Sequence, residues 1–244
     1  MVWRLRTRWR RYMVLFTLGA ILFSAIIWFV YSANEAREHA RSLGCQGHLT
    51  WLAVSILRYH QEHGHLPPAH VDTPDGSRTH SWRALVAAQE ADAINPFPYD
   101  FSEPWNGPNN SNLGDSRSDA FACPSDSDTQ RNKRLTNYFV IEGANTPFPG
   151  WSIIDAQDYQ SRSNTILVAE ASGLGIEWLE PRDLDLDRMS FQLNDSKRLG
   201  ISSVHPHGAN ACMADGSVRF LSEISPEVLE DMLGVGDRAW RKGP

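Results

Sequence analysis

An uncharged, apolar run close to the N-terminus restricts what this chain can fold into more than any other feature. The run covers Met13–Tyr31, and as a helix of about 19 residues it would be about 28 Å long, enough to cross a bilayer. Trp9 and Trp28 lie near its two ends, where aromatic side chains favour the headgroup region. A cleaved secretory signal is the alternative interpretation. We expect a retained anchor, because the run is long for a signal and no good Ala-x-Ala cleavage site follows it.

The charges around this run predict its orientation. Residues 1–12 contain five arginines and no acidic residue, and basic residues stay on the cytoplasmic side of a membrane span. We therefore predict a cytoplasmic segment at 1–12, a single transmembrane helix at 13–31 in the inner membrane, and a C-terminal domain that is periplasmic or extracellular. The arginines that set this orientation are Arg4, Arg6, Arg8, Arg10 and Arg11.

The chain beyond the arginine cluster is acidic. The net charge is −6, with 29 acidic residues against 23 basic ones, and the arginine cluster accounts for five of the basic residues. An acidic domain repels the phosphate backbone, so we expect that nucleic acid is not the main partner. The lipid bilayer is the partner that the apolar run predicts.

The helical pattern continues after the apolar run. Residues 32–64 form an amphipathic continuation in which Leu49, Leu52 and Ile56 recur at spacings of three and four, as on one face of a helix. Gly64 supplies a residue that can end the helix. One face of this segment is therefore expected to pack against a folded domain.

Short elements between long polar loops predict an α+β domain at residues 65–244. The predicted helices run from the N-cap Ser81 to about Ala91 and from Pro226 to Gly234. The predicted strands and loops are strands at 137–142, 165–171 and 175–179, a loop at 94–120, and an exposed loop at 181–200 whose acidic residues face solvent.

A β-hairpin is predicted at residues 209–221. Asp215 and Gly216 form the dipeptide that a type I′ turn favours, because both central residues of that turn need a positive φ. Alternating apolar residues flank the turn on both sides.

Two sets of polar residues are candidate metal ligands. His205 and His207 form a His-x-His pair, but no third ligand follows at a recognised spacing. The loop that contains Glu103 and Asn106 offers oxygens for calcium, with Asn110 and Asp115 nearby, but without regular ligand spacing. We therefore expect no metal, no cofactor and no catalytic residue. Motifs of the common hydrolases, P-loop proteins and dinucleotide-binding enzymes are missing from the sequence.

A series of short motifs follows in order over roughly residues 33 to 237. They are AREHARSLGCQGHLTWLAVSILRYHQEHGHLPP, SWRALV, EPWNGPNN, FACPSD, TNYFVIEGANTPFPG, SNTILVAEA, IEWLEPRDL and HPHGANACMADGSVRFL. In kind and order, these motifs resemble those of a bacterial family, domain of unknown function 1559, whose members begin with a prepilin-type helix and end with an H-x-G-G-x-N…D-G-S-V-R-F box. The resemblance implies a pilin-like or pseudopilin-like architecture, in which a long N-terminal transmembrane helix packs on an antiparallel β-sheet. The family has no established enzymatic activity.

The start of the chain departs from the prepilin pattern. Leu15 stands where prepilins have the glycine before the cleavage point, and Ala20 stands where they have a glutamate. We therefore expect an uncleaved membrane protein that retains the pilin-like shape.

The cysteine pairing also follows from the resemblance. Cys45 and Cys123 match family positions, and the predicted orientation exports them to an oxidising compartment, so a Cys45–Cys123 disulfide is expected. Cys212 lies in the predicted hairpin, where a lone buried cysteine behaves as a small apolar residue.

Together these features predict a structural or assembly protein of the cell envelope, similar to the pseudopilins of type II secretion. Its expected partners are other pilin-like proteins or an envelope complex. Two alternatives stay open. A carbohydrate-binding module would need an exposed row formed by Trp105, Trp151 and Trp178, and a metal-dependent hydrolase would need His205 or His207 in a pocket with an acidic residue.

The predicted topology is testable with a reporter fused after Pro244. Alkaline phosphatase, which folds only outside the cytoplasm, should be active in this position because the arginines hold the N-terminus inside. A fusion that is active only with a cytoplasmic reporter would contradict the orientation.

Overall fold

The computed structural model describes residues 2–149 and 163–234, and for residues 2–12 and 14 it describes the backbone only. The chain divides into two compact units, Met1–Arg41 and Ser42–Pro244. The first α-helix, α1, extends without interruption from Val2 to His63. The side chains of the five predicted orientation arginines lie outside the described residues.

The first unit contains the apolar part of α1. This helix is long and apolar enough to cross a membrane, with a mean hydropathy of 2.0 over its most apolar window, and that window is entirely exposed. Phe16, Phe23 and Trp28 are among its large exposed side chains. By its length and apolarity, this segment meets the requirement for a membrane span.

The C-terminal end of α1 forms as the sequence predicts. Gly64 adopts a left-handed φ of +80°, and its N–H donates to the carbonyl of His60 at 2.8 Å. Glycine adopts this conformation without the steric cost that a Cβ atom would impose.

The second unit has an α+β fold in which short helices and strands occur in separate stretches of the chain. The remaining helices are α2 (Trp82–Glu90), α3 (Ser127–Arg131) and α4 (Pro226–Leu233), with 3₁₀ turns at Asn110–Ser116 and Asp119–Phe121. The strands are β1 (His70–Asp72), β2 (Arg78–Ser81), β3 (Tyr138–Phe139), β4 (Ile141–Glu142), β5 (Ile166–Glu170), β6 (Leu184–Asp185), β7 (Gly208–Met213) and β8 (Val218–Ser222). Ser81 caps α2 as predicted and Ser225 caps α4, each accepting a hydrogen bond from a backbone N–H of the first turn.

In the described residues, the main sheet is antiparallel with strand order β3-β5-β7-β8. β1 and β2 form a separate antiparallel pair, and β4 and β6 pair in parallel. Both faces of the main sheet are covered, because every residue of β5 and β7 is buried. Side chains of β5 and β7 are therefore divided between two different cores.

The first core joins the sheet to the outward half of α1. Leu49, Leu52 and Ile56 of α1 are fully buried in it with Val168 of β5 and Cys212 of β7. The second core, on the opposite face, includes side chains from β5, β7 and α4. The predicted packing of the helix on an antiparallel sheet is thus confirmed.

The loop at 94–120 has no strand and is held by aromatic side chains, as expected. The rings of Phe97 and Tyr99 stack at 5.5 Å, and Phe97 lies 5.5 Å from Trp178. These aromatic contacts connect the loop to the first core.

A buried ion pair contradicts the prediction that the acidic residues of 181–200 all face solvent. Asp183 and Arg83 of α2 form a 2.7 Å salt bridge in which both side chains are fully buried. Arg83 also donates to the carbonyls of Trp178 and Glu180, so most of its donors are satisfied. Burial raises the pKa of Asp183 to about 6, against the opposing effect of the Arg83 charge.

The same aspartate explains why the predicted strand at 137–142 is split. The N–H of Val140, between β3 and β4, donates to Asp183 Oδ1 at 3.0 Å and not to a neighbouring strand. The chain therefore leaves the main sheet after β3 and pairs β4 with β6. β6 lies inside the segment that the sequence assigned to an exposed loop.

Two local predictions are wrong. Residues 175–179 do not form a strand, because Gly175 has a φ of +64° and a turn begins at Glu177, which leaves only an isolated bridge to Leu135.

The hairpin is present, but its turn is not type I′. Gly216 has a φ of +84° whereas Asp215 does not have a positive φ, which is the pattern of a type I turn followed by a glycine bulge. The Asp215 carboxylate accepts from the N–H of Ser217 and stabilises this form.

Loss of Arg83 should destabilise the fold strongly. Arg83→Met would leave Asp183 as an uncompensated buried charge, and we expect unfolding free energy to fall by about 3–5 kcal/mol in a chemical denaturation measurement. The double variant Arg83→Met/Asp183→Asn removes both charges, keeps an acceptor for the N–H of Val140, and should recover part of that loss. Equal destabilisation in the single and double variants would show that the ion pair is not the cause.

Candidate metal centre

Four buried side chains that can bind a metal meet in the second unit. Cys45 comes from α1, Cys123 from the loop after the 3₁₀ turn at Asp119–Phe121, Glu170 from the end of β5, and His205 from the loop before β7. Each of the four is at most 3% exposed. We call this group the Cys-Glu-His cluster.

The four ligand atoms lie close together. The Sγ atoms of Cys45 and Cys123 are 2.8 Å apart. His205 Nε2 lies 3.1 Å from Cys45 Sγ and 3.3 Å from Cys123 Sγ, and 3.7 Å from Glu170 Oε1. All four ligand atoms are within 4.8 Å of one another.

Hydrogen bonds fix Glu170 on the face of the sheet that packs against α1. Its Oε2 accepts from the N–H and the side-chain amide of Asn210, at 2.7 and 3.1 Å. Asn210 in turn accepts from Gln46, the residue after Cys45 on α1. Glu170 Oε1 accepts no hydrogen bond and is the carboxylate oxygen nearest to His205.

Cys123 is fixed by its backbone. Its N–H donates to Asn137 Oδ1 at 2.8 Å, and the Asn137 amide donates to Asp126 at 2.6 Å. Asp126 is also the N-cap of α3. The cysteine of the FACPSD segment is therefore oriented by residues that are themselves buried.

The environment strongly shifts the pKa values of the cluster. A hydrogen bond with Cys45 lowers the pKa of Cys123 to about 6, opposed by burial and assisted by His205. The same hydrogen bond, with burial, raises the pKa of Cys45 well above its ordinary value. Burial disfavours protonation of His205, but its contacts with Cys123 and Glu170 raise its pKa to about 11. The groups thus favour a Cys123 thiolate beside a His205 imidazolium at neutral pH.

The cluster is closed to solvent. The crevice beside it, lined in part by Glu170 and Ser203, is too narrow to admit a water molecule. A catalytic metal site keeps one open position for water or substrate, whereas a structural site is filled by protein ligands. The arrangement therefore suits cross-linking of the fold, by a metal or by a disulfide.

The structure brings the predicted disulfide partners together but contains no bond between them. Both residues are free cysteines, and a disulfide would require the sulfurs to approach to about 2.05 Å. The Cys45–Cys123 disulfide stays a prediction. Cys212 is separate from the pair and lies in the first core, as expected for a small apolar residue.

The two histidines are separated. His205 is buried in the Cys-Glu-His cluster, whereas His207 is exposed and has a φ of +71°. Neither residue lies in a strand, so the two rings do not share a strand face. The sequence missed the other ligands because they come from distant segments, and no local spacing rule can detect them.

The oxygens considered as candidate calcium ligands form hydrogen bonds within the loop itself. Glu103 Oε1 accepts from the N–H groups of Asn109 and Asn110, and the Asn110 amide donates to three carbonyls of the loop. Asn106 is exposed, and Asp115 lies 3.7 Å from Arg134. These four residues do not converge on a common point in the described hydrogen-bond network.

The tryptophans do not form the row that carbohydrate binding would need. Trp178 is 1% exposed, and Trp105 is partly buried against the first core. Trp178 also donates to the carbonyl of Gly114 at 2.9 Å. Trp151 lies outside the described residues.

A family model described as "Protein of unknown function (DUF1559)" matches residues 34–165 and 188–226. The match covers most of the chain. It includes Cys45, Cys123 and His205 of the Cys-Glu-His cluster, whereas Glu170 lies between the two matched segments. The chain belongs to this family. The comparisons with curated proteins and with solved structures found no match.

The two histidines should respond differently to substitution. His205→Ala leaves Glu170 and Cys123 buried without a cation, and we expect it to lower unfolding free energy by about 3 kcal/mol. His207→Asn keeps a residue that tolerates a positive φ and should change stability by less than about 0.5 kcal/mol. Similar denaturation midpoints for the two variants would contradict this assignment.

Proposed function

We propose that this protein is a pilin-like or pseudopilin-like component of the cell envelope that acts by associating with other proteins. One observation carries the proposal. The same uninterrupted helix, α1, supplies an exposed apolar segment in the first unit and the central helix of the α+β core in the second. The family resemblance to prepilin-type proteins supports the same conclusion.

The apolar segment needs a partner in a membrane or in another helix. Its large side chains are more than half exposed throughout, as at Phe16 with 79% and Trp28 with 70%. A contiguous apolar surface of this kind marks a membrane or protein interface. Lipid covers most of it in our proposal, and the helices of neighbouring pilin-like proteins cover the rest.

We propose association and not catalysis because of the burial of the reactive groups. His205 and Glu170 approach each other, as the hydrolase alternative requires, but both are buried where water does not reach them. A hydrolase needs room for substrate and water at its acid and base. The burial of Trp178 similarly disfavours the carbohydrate-binding alternative.

Photo-crosslinking in intact membranes tests the proposed association. A benzophenone amino acid at Phe23 should produce a covalent adduct with a second protein that has an N-terminal apolar helix, identified by mass spectrometry. The matched control is the same amino acid at Phe101, which is exposed in the second unit. Helix association would be contradicted if the amino acid at Phe23 formed adducts only with lipid.

A further inference from the structure

We propose that the Cys-Glu-His cluster binds a zinc ion that fastens α1 to the rest of the second unit. The inference concerns a site that the proposed function does not require, and it stands independently of the association described above. The site would be structural, with Cys45, Cys123, Glu170 and His205 as the four ligands.

The donor set is the first argument. Zn²⁺ binds thiolate, imidazole and carboxylate, and structural sites provide four protein ligands in a tetrahedron. Calcium and magnesium prefer sites composed of oxygen atoms only, so two sulfurs and one imidazole exclude them. The four ligand atoms already lie within 4.8 Å of one another.

The distance between the two sulfurs does not by itself distinguish a metal site from a disulfide. Zinc–sulfur bonds of about 2.3 Å in a tetrahedron place two sulfurs about 3.7 Å apart, and a disulfide places them about 2.05 Å apart. The observed distance of 2.8 Å lies between these values. The choice between a zinc site and a disulfide for Cys45 and Cys123 therefore depends on Glu170 and His205.

Glu170 favours the metal. Its side chain is buried, and Oε1 is directed toward His205 without accepting a hydrogen bond. A buried carboxylate oxygen without a hydrogen bond is costly, and a disulfide would leave Oε1 with only its 3.7 Å contact to His205. A zinc ion would be bound by this oxygen together with the two sulfurs and His205 Nε2.

The surroundings of the ligands resemble those of a metal site. Metal ligands are oriented by hydrogen bonds to a second layer of residues. Asn210 holds the other oxygen of Glu170, and Asn137 holds the backbone of Cys123. Gln46 links Asn210 back to α1, so the ligands from the helix and the sheet are positioned by one connected network.

Metal content of the full-length protein in detergent tests the proposal. After purification with a thiol reductant and Zn²⁺, followed by gel filtration, mass spectrometry of the metals should give about one zinc ion per chain for the wild type. Cys45→Ser should retain none. Glu170→Gln preserves the side-chain shape and should weaken zinc binding by at least about tenfold in a competition titration.

Cys212→Ser is the matched control, because Cys212 is an equally buried cysteine outside the cluster. It should bind zinc like the wild type. Zinc should also protect Cys45 and Cys123 of the wild type from maleimide until a chelator is added, and this measurement does not depend on a variant that folds.

Three results would overturn the proposal. The first is a wild-type protein with no zinc and with free thiols. The second is a Cys45–Cys123 disulfide in protein isolated from membranes without added oxidant. The third is zinc binding with equal affinity in the wild type and in Glu170→Gln, which would place the ion elsewhere.

Discussion

The buried face of α1 from Cys45 to Ile56 is the contact on which the second unit depends. Leu49, Leu52 and Ile56 are completely buried there, against one face of the main sheet and the aromatic loop. Without this helix, the apolar face that contains Val168 and Cys212 would be exposed to water, at a cost of roughly 25 cal/mol for each Å². The sheet and the helix therefore stabilise each other, and neither is expected to be stable alone.

Two buried polar groups select one arrangement of this core. Arg83 and Asp183 join α2 to a segment a hundred residues later, and the Cys-Glu-His cluster joins α1 to three other segments. Buried charges contribute little net stability, because desolvation opposes their attraction, but they strongly disfavour arrangements in which they are unpaired. The apolar contacts hold the layers together, while these groups fix how the layers are placed.

The sequence predicts those elements whose signal is local. The apolar run of α1, the end at Gly64, the serine caps of α2 and α4 and the hairpin around Gly216 each depend on neighbouring residues. The motifs also identify the family that the model match confirms.

The predictions that fail depend on distant residues. Asp183 looks like one of several solvated acids until Arg83 is placed beside it, and its bond to Val140 divides a strand that the local pattern makes continuous. His205 similarly has no other candidate metal ligand of the cluster in its own segment, because Cys45 and Glu170, which it contacts in the fold, are 160 and 35 positions away in the sequence. Pairing Cys45 with Cys123 depended on family positions, and geometry alone then adds Glu170 and His205.

The claim that one metal ion joins α1 to the sheet is tested most directly by X-ray absorption at the zinc edge of the full-length protein. The account predicts two sulfur ligands at about 2.3 Å and two nitrogen or oxygen ligands at about 2.0–2.1 Å. A coordination shell made only of nitrogen and oxygen would contradict it, because the helix ligand Cys45 would then not be bound to the ion.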